Sequence, residues 1–427
     1  MPRKQMLSSN HSEAETMRIG EPLRPMRRVS AAGIAAKVSV RALAALAIIL
    51  TVVAGGGPGA DAFVELFPTF QGLIVPAAGN SLVAGISGDG QVVIGNQDGG
   101  SCGQAVSWSR DPTKGFRFHE LGLPGGGSCS FANGANSNGS VFGGVGYNSG
   151  ANAPVIWVNG TSTALPQNYN CCGSPPPPCG AGILGANANA VGLSNSVLVG
   201  ADASGNPGCG PGIPVEWVNG TESALFGWNM SGSGEARGVN ADGSVVVGRV
   251  GVSCSSGTCS EAFRTAAGST TILGDLGGGS SEAYATNADG SVVVGTAAVD
   301  SVNSQAFRWT AATGMVGLCP AQVFATAYAV SADGSVVVGQ TGNDGQAFRW
   351  TAATGCQTIA DLLTAAGFNV SNWHLTQALG ISADGSTIVG NGSNGIVSEA
   401  WVAYLPVASG SGPPRSGGIV MKRSGRL

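Results

Sequence analysis

The stretch Ser331-Ala332-Asp333-Gly334-Ser335-Val336-Val337-Val338-Gly339, followed after a polar loop by Gln346-Ala347-Phe348-Arg349-Trp350-Thr351, decides the fold. Asp-Gly between apolar runs is a strong hairpin signal, because glycine reaches the positive φ of a tight turn without steric cost. Three successive valines leave no polar face, as expected of a strand covered on both sides. In the aromatic strand Phe348 and Trp350 fall on one face, Ala347 and Arg349 on the other.

Working outward, the same unit recurs. Clear copies stand at 240–248, 287–295 and 382–390, and looser ones at 87–95, 137–144 and 193–200. The positions equivalent to the turn glycine are Gly90, Gly139, Ser196, Gly243, Gly290, Gly334 and Gly385, at intervals of 49, 57, 47, 47, 44 and 51 residues. A fixed period in this range marks a propeller, a solenoid or another repeat array. Each copy reads as a small-residue strand such as Ala327-Tyr328-Ala329-Val330, the Asp-Gly turn, the valine strand, the aromatic strand, and a last apolar stretch such as Thr271-Ile272-Leu273-Gly274-Asp275-Leu276. Four strands per unit at this period predict an all-β chain folded as a single β-propeller of about seven four-stranded blades. A β-solenoid with two coils per repeat is the competing architecture. Small first strands suit the crowded wall of a central channel. The aromatics Trp108, Trp157, Trp217, Trp309, Trp350 and Trp401 suit the wider gaps between blades.

The last copy stops at its third strand, Glu399-Ala400-Trp401-Val402-Ala403-Tyr404. Gln71-Gly72-Leu73-Ile74-Val75, ahead of the first turn, reads as the missing fourth strand, so the two ends are expected to close the ring. Closure removes strand edges that otherwise invite aggregation.

Composition fits this reading. Only 10% of the 427 residues are charged, 43% are apolar and 71 are glycine. That is enough apolar material for a core, with the turn content of many short strands. Residues 1–62 hold eight Lys/Arg and four Asp/Glu, leaving 12 basic and 20 acidic residues in 63–427, a formal charge of −8. A mildly acidic body lacks the clustered positive face that nucleic acid requires.

Residues 1–62 read as a signal peptide. Arg24, Arg27, Arg28, Lys37 and Arg41 precede an apolar run from Ala42 to Val53 and a small-residue stretch ending Ala60-Asp61-Ala62. Those are the three parts of a cleavable secretory signal, with cleavage between Ala62 and Phe63. An uncleaved anchor is the alternative, but twelve residues fall short of the roughly 20 that span a bilayer. The expected division is therefore a signal at 1–62, a propeller at 63–406 and a flexible Gly/Ser/Pro-rich tail at 407–427. No stable membrane span is expected in the mature chain, and an extracellular or periplasmic location follows.

All ten cysteines lie beyond residue 62, and an even count in an exported chain reads as disulfides. Cys254 and Cys259, across a Gly/Ser turn, are the candidate pair; sequence leaves the others open. Cys171, Cys172, Cys179 and Cys209 could instead hold zinc, but no matched C-x-x-C pairs or nearby histidine support it.

The unit S-A-D-G-S-V-V-V-G with A-F-R-W-T-A-A-T-G resembles the HAF family of extracellular repeats of exported bacterial proteins. Ile359-Ala360-Asp361-Leu362-Leu363, Gly367, Trp373 and Glu399-Ala400-Trp401 resemble that family's closing segment. The likeness covers roughly 82–405 and implies an exported repeat domain without a transferable catalytic residue. The chain departs from it at Ser196 and at Ala262-Phe263-Arg264-Thr265, where the tryptophan is missing.

Candidate chemistry is sparse. Asp89, Asp242, Asp289, Asp333 and Asp384 could ligate calcium, but a calcium loop needs six to eight oxygens and a late glutamate. Capping of their own turns by side-chain-to-backbone bonds is the expected role. Arg264, Arg308 and Arg349 recur at one position, and ion pairs with turn aspartates are expected of them rather than an anion-binding ring. Only His119 and His374 follow residue 62, neither in a nucleophile or metal motif. No cofactor and no catalytic residue are assigned. A disulfide-tied proline loop at Asn168–Gly180 could present a recognition surface. The function expected is an exported, non-catalytic scaffold presenting loops to a protein or glycan partner. The alternatives are an extracellular hydrolase or lyase with its site at one channel mouth, and a cell-envelope structural module.

Overall fold

The computed structural model describes residues 68–406, except 77–78, 98–102, 123–126, 128, 149–150, 166–179, 186–196, 204–212, 226–233, 255–256 and 343–344. The signal segment with its Ala62–Phe63 junction, the 407–427 tail, Ser196, the Asn168–Gly180 loop and Cys171, Cys172, Cys179 and Cys209 lie outside the described residues or their described side chains.

Seven four-stranded antiparallel sheets form the chain. Blade I is β2 (Ser81–Ile86), β3 (Val92–Gln97), β4 (Gln104–Asp111) and β5 (Gly115–Glu120). Blade II is β6 (Cys129–Ala135), β7 (Val141–Asn148), β8 (Ala151–Val158) and β9 (Thr161–Ala164). Blade III is β10 (Gly180–Gly185), β11 (Val197–Ala203), β12 (Ile213–Val218) and β13 (Thr221–Ala224). Blade IV is β14 (Gly234–Val239), β15 (Val245–Cys254), β16 (Gly257–Ala266) and β17 (Ser269–Ile272). Blade V is β18 (Ser281–Thr286), β19 (Val292–Ala298), β20 (Ser304–Thr310) and β21 (Gly314–Gly317). Blade VI is β22 (Thr326–Val330), β23 (Val336–Thr341), β24 (Gln346–Thr351) and β25 (Gly355–Thr358). Blade VII is β26 (His374–Ile381), β27 (Thr387–Ser393), β28 (Ser398–Tyr404) and, from the other end of the chain, β1 (Thr69–Leu73).

The blades form a ring, with first strands around a central channel. The fold is a seven-bladed β-propeller, not a solenoid. β1 pairs antiparallel with β28 from Thr69↔Tyr404 to Leu73↔Ala400. The closing strand thus lies two residues earlier than the sequence suggests. Ile74 has left the sheet and is 73% exposed. The expected strand at Thr271–Leu276 likewise ends at Ile272, and Leu273 follows it as a buried inter-blade residue. Among the described residues one short helix, α1 (Ile359–Ala365), interrupts the all-β plan. Thr358 caps it by accepting from the Asp361 N–H, and Ile359 and Leu363 are buried between blades VI and VII.

The valine runs divide between neighbours. Val336 and Val338 pack toward blade VII with Ile388, Trp401 and Ala403, whereas Val337 packs with Val292, Val294 and Phe348. Each such side chain contributes about 1.5–3 kcal/mol by leaving water. The aromatics fall into two registers. Trp108, Trp157 and Trp217 stand two residues after a valine (Val106, Val155, Val215) that faces the last residue of the second-strand motif, and all three are fully buried. Where phenylalanine fills that valine position, as Phe307 and Phe348, the following Trp309 and Trp350 are displaced to half-buried sites. Trp401 is not equivalent to the other five: it lies opposite Gly390, at the phenylalanine position.

Blades are stitched by backbone bonds at one face. Ala241, Ala288, Ala332 and Ala383 N–H groups donate to Ala288, Ala332, Ala383 and Gly88 carbonyls of the next blade, and Asp89 continues the circle to Ser137. On this side Arg264 and Arg308 donate to the carbonyls of Gly290 and Gly334, the turn glycines of the following blade, and Arg349 donates to Leu405. This corrects the expected ion pairs with turn aspartates. The guanidinium reaches a carbonyl across the gap because the aspartate is already engaged within its own turn.

Two disulfides have both partners described. Cys254–Cys259 ties the β15–β16 hairpin, and Cys319–Cys356 joins the entry to blade VI with β25. Cys129 is disulfide-bonded too. Loop-closure entropy scales with the span, here 5 and 37 residues. The Cys319→Ser/Cys356→Ser pair is expected to cost about 4 kcal/mol and the Cys254→Ser/Cys259→Ser pair about 2 kcal/mol. Denaturant melts of the two variants check that order.

Candidate functional site

Six of the seven inner strands carry the same irregularity, and β10 of blade III shifts differently, between Gly182 and Gly185. In the six the register shifts against the second strand so that one residue is left without a partner, between Val83/Gly85, Ala132/Gly134, Ala236/Gly238, Ala283/Ala285, Ala327/Ala329 and Ala378/Gly380. A bulge of this kind re-aims a side chain. The unpaired residues are Ala84, Asn133, Arg237, Tyr284, Tyr328 and Leu379, and all six line a cavity of about 230 Å3 in the central channel. Their flanks are alanine or glycine apart from Val83, yet the bulge position takes five residue types in six copies. The repeat therefore holds the backbone constant and varies the group it presents.

The glycine ending each second-strand motif makes the bulge possible. A Cβ on Gly339 would overlap the Thr326 carbonyl oxygen and lie 2.8 Å from Phe348 Cε1; Gly295 stands in the same relation to Glu282 and Phe307. This glycine serves a close approach of backbone, whereas the turn glycines serve a positive φ, +73° at Gly334.

On the side of blades IV–VI the channel wall is polar. Arg237 pairs with Glu235 (2.7 Å) and Glu282 (2.6 Å), and Arg249 pairs with the same two carboxylates (2.6 and 3.2 Å). The quartet balances to zero formal charge. The bond to Glu235 leads the causes that raise the Arg249 pKa. The Arg237 guanidinium stacks 4.9 Å from the Tyr284 ring centroid, and Tyr284 meets Tyr328 edge-on at 5.2 Å. Tyr284 OH donates to Glu282, and Gln377 Nε2 donates to Gln340 Oε1 at 2.8 Å. Burial pushes both phenols above their ordinary pKa, Tyr284 far above it, so both stay protonated as donors. Beyond this arc the ring continues with Leu379 of blade VII, Ala84 of blade I and Asn133 of blade II. The small residues expected along the channel wall hold mainly for the flanks; at the bulge position Arg237, Tyr284 and Tyr328 stand in the channel.

Toward the turn face Ile86, Thr286, Val330 and Ile381 line both this cavity and a second one of about 130 Å3, which Gly88, Ser137, Ala241, Asn287, Ala288, Ala332 and Ala383 also line. The Asn287 side chain is engaged within the turn face, accepting from Val292 N and donating to Ala332 O. The Thr286 hydroxyl is turned away, donating to Val292 O. Among the described residues an apolar collar from blades I, V, VI and VII thus stands between the polar arc and the turn face.

No family model matches the chain, and a search of curated proteins found no match. Solved structures do resemble it. TolB from Acinetobacter baumannii is 12% identical over 63% of this chain and 63% of its own, with TM-score 0.43, so the chain spans less than two thirds of that protein. The β-propeller domain of the Trilobed protease from Pyrococcus furiosus is 9% identical over 76% of this chain and 95% of its own, with TM-score 0.47. Oligogalacturonate lyase from Vibrio parahaemolyticus is 10% identical over 80% and 98%, with TM-score 0.48. At these levels the resemblance speaks to no activity.

The remaining candidates lie elsewhere. Asp242, Asp289, Asp333 and Asp384 accept from the N–H two residues on, Ser244, Ser291, Ser335 and Ser386, at 2.9–3.0 Å, and Asp89 accepts from Gln91. Among the described residues no three metal-ligating side chains converge. Hydrogen bonds from Ser244 and Ser291 hold the Asp242 and Asp289 carboxyls below their ordinary pKa. A depressed folded-state pKa contributes stability that is present above the unfolded value of about 3.9 and is lost as pH falls through the folded one. Replacing Asp242 and Asp289 together by Asn is therefore expected to flatten the fall in thermal midpoint between about pH 5 and pH 3; an unchanged slope in that double variant would exclude this origin. The effect of one exposed turn is small, and the sum over turns is the measurable quantity.

Ser109 Oγ and His119 Nε2 lie 2.7 Å apart, but on the exposed outer strands of blade I and away from the channel. His374 is exposed at the start of β26. Neither histidine reaches the cavity. Among the described residues no helix is long and apolar enough to cross a membrane.

Proposed function

We propose that the protein is a non-catalytic binding scaffold whose recognition site is the ring of bulge residues in the channel, and that its ligand is a glycan. The observation that carries this reading is the variation of Ala84, Asn133, Arg237, Tyr284, Tyr328 and Leu379 on an otherwise repeated backbone. A sugar presents hydroxyl edges and C–H faces. The Arg–Glu–Tyr–Gln arc supplies donors and acceptors for the first, Ala84 and Leu379 an apolar wall for the second. A cavity of about 230 Å3 is below the roughly 300–1,000 Å3 of sites for drug-sized ligands. It admits one or two small rings and not a helix of about 10 Å diameter, which favours a glycan over a protein segment. Glu235 and Glu282, the carboxylates paired with the cavity-lining Arg237, are both held by guanidinium groups, which counts against a free general base and so against the hydrolase reading. The disulfides fit an oxidising compartment, in keeping with export.

A glycan array probed with the chain from Phe63 onward tests this. Specific retention, reduced at least tenfold by Ala84→Trp, which fills the cavity, is the expected result. A blank array together with hydrolysis or lyase activity on polysaccharide would overturn it.

A further inference from the structure

We infer that the channel is a one-ended cup that takes the terminus of an uncharged oligosaccharide and rejects both uronate chains and chain interiors. The inference rests on the glycan reading and adds ligand charge and binding mode to it.

The charge argument begins with the quartet. Arg237 and Arg249 each contact both Glu235 and Glu282, and all four side chains are only 20–29% exposed. A carboxylate ligand would meet two glutamates together with two guanidinium groups in a quartet of no net charge, so the loss of its hydration is offset by no net attraction. An uncharged hydroxyl carries no charge to desolvate. A carboxylate has about four lone-pair sites and a guanidinium five N–H groups, so each paired partner retains capacity for a further bond. The flanking donors, Tyr284 and Tyr328, stay neutral because burial raises their pKa.

The mode of binding follows from the collar. Ile86, Thr286, Val330 and Ile381 line both cavities and offer no free polar group to a passing sugar, the Thr286 hydroxyl being committed to Val292 O. Below them the described turn N–H and carbonyl groups bond to each other across blade boundaries from Ala241 round to Ser137. A polar chain threading the ring would lose its water there without replacement from the described residues, a cost of order several kcal/mol. Entry is therefore from the end of the channel that holds Glu235 and Glu282, and only a chain end fits.

The test is titration calorimetry with linear neutral hexasaccharides of glucose, galactose, mannose and N-acetylglucosamine, the linear galacturonate hexamer, and the cyclic glucose hexamer as a chain without ends. Binding of a neutral linear hexamer, at least tenfold tighter than the uronate and absent for the cyclic form, is expected. Tyr328→Phe should weaken it severalfold and Ala84→Trp should abolish it, with thermal melts showing both variants folded. Uronate bound as tightly as the neutral chains, or the cyclic hexamer bound as tightly as the linear glucose hexamer, overturns the inference while leaving the glycan reading standing. No binding by any probe, with the array blank, overturns both.

Discussion

Gly339→Ala is expected to destabilise the protein by about 3 kcal/mol, the upper part of the range for overpacking a core, although it adds a single methyl group. The new Cβ overlaps the Thr326 carbonyl oxygen and crowds Phe348, and the backbone partner cannot rotate away as a side chain would. Relief requires β22 to move off β23, which removes the bulge and withdraws Tyr328 from the channel. Stability and ligand binding should therefore fall together. Gly122→Ala is the control, since nothing lies within 4 Å of its Cβ position. Denaturant melts that place Gly339→Ala within about 0.5 kcal/mol of Gly122→Ala, the scatter of ordinary surface substitutions, would contradict the packing account.

A chain beginning after Leu73 is expected to lose the cooperative native state of blade VII. Leu73 is fully buried, Phe70 packs edge-on against Trp373 at 5.2 Å and touches Trp401, and Ser81 Oγ donates to Leu73 O. Removing two large apolar side chains from the interior costs about 3–6 kcal/mol, a large share of a typical domain's 5–15 kcal/mol. It also bares the β28 edge to pairing with other molecules. Size-exclusion chromatography should show oligomers, and a peptide spanning residues 64–76 added in trans should shift them back toward monomer. A truncated chain that stays monomeric with an unchanged thermal midpoint would refute this role for β1.

The blade number, the strand order and the closing strand were legible because they are periodic. Seven Asp-Gly-type turns fix the spacing, and an incomplete last copy points to a complement at the start. The register of Trp401 was not legible, because Trp-x-Ala at 401–403 and Phe-x-Trp at 348–350 look alike until the facing glycine is known. The site was hidden for another reason. A bulge inverts the alternation that a sequence reading relies on, so Arg237, Tyr284 and Tyr328 sit where strict period-two counting misplaces them. A signal was present all the same: three residues before each turn residue, large or charged groups break a run of small ones, and no strand with a crowded wall would otherwise tolerate them. Arg249 carried no such signal. It follows the motif glycine at a position held by Thr296 and Gln340 in the next two blades, and joins Glu235 only through the β14–β15 register.

The union of β1 with β28 also sets a timetable for making the molecule. Some 325 residues separate Leu73 from Ser398, and at about 5–20 residues per second the earliest strand waits on the order of 15–65 s for its mate to be synthesised. Through that interval the blades can form in succession, each on its predecessor, but the circle stays open and Phe70 and Leu73 have nowhere to hide. The circle can thus close only once Ser398–Tyr404 has been made, and a nascent chain halted anywhere before blade VII is an open arc with a sticky leader.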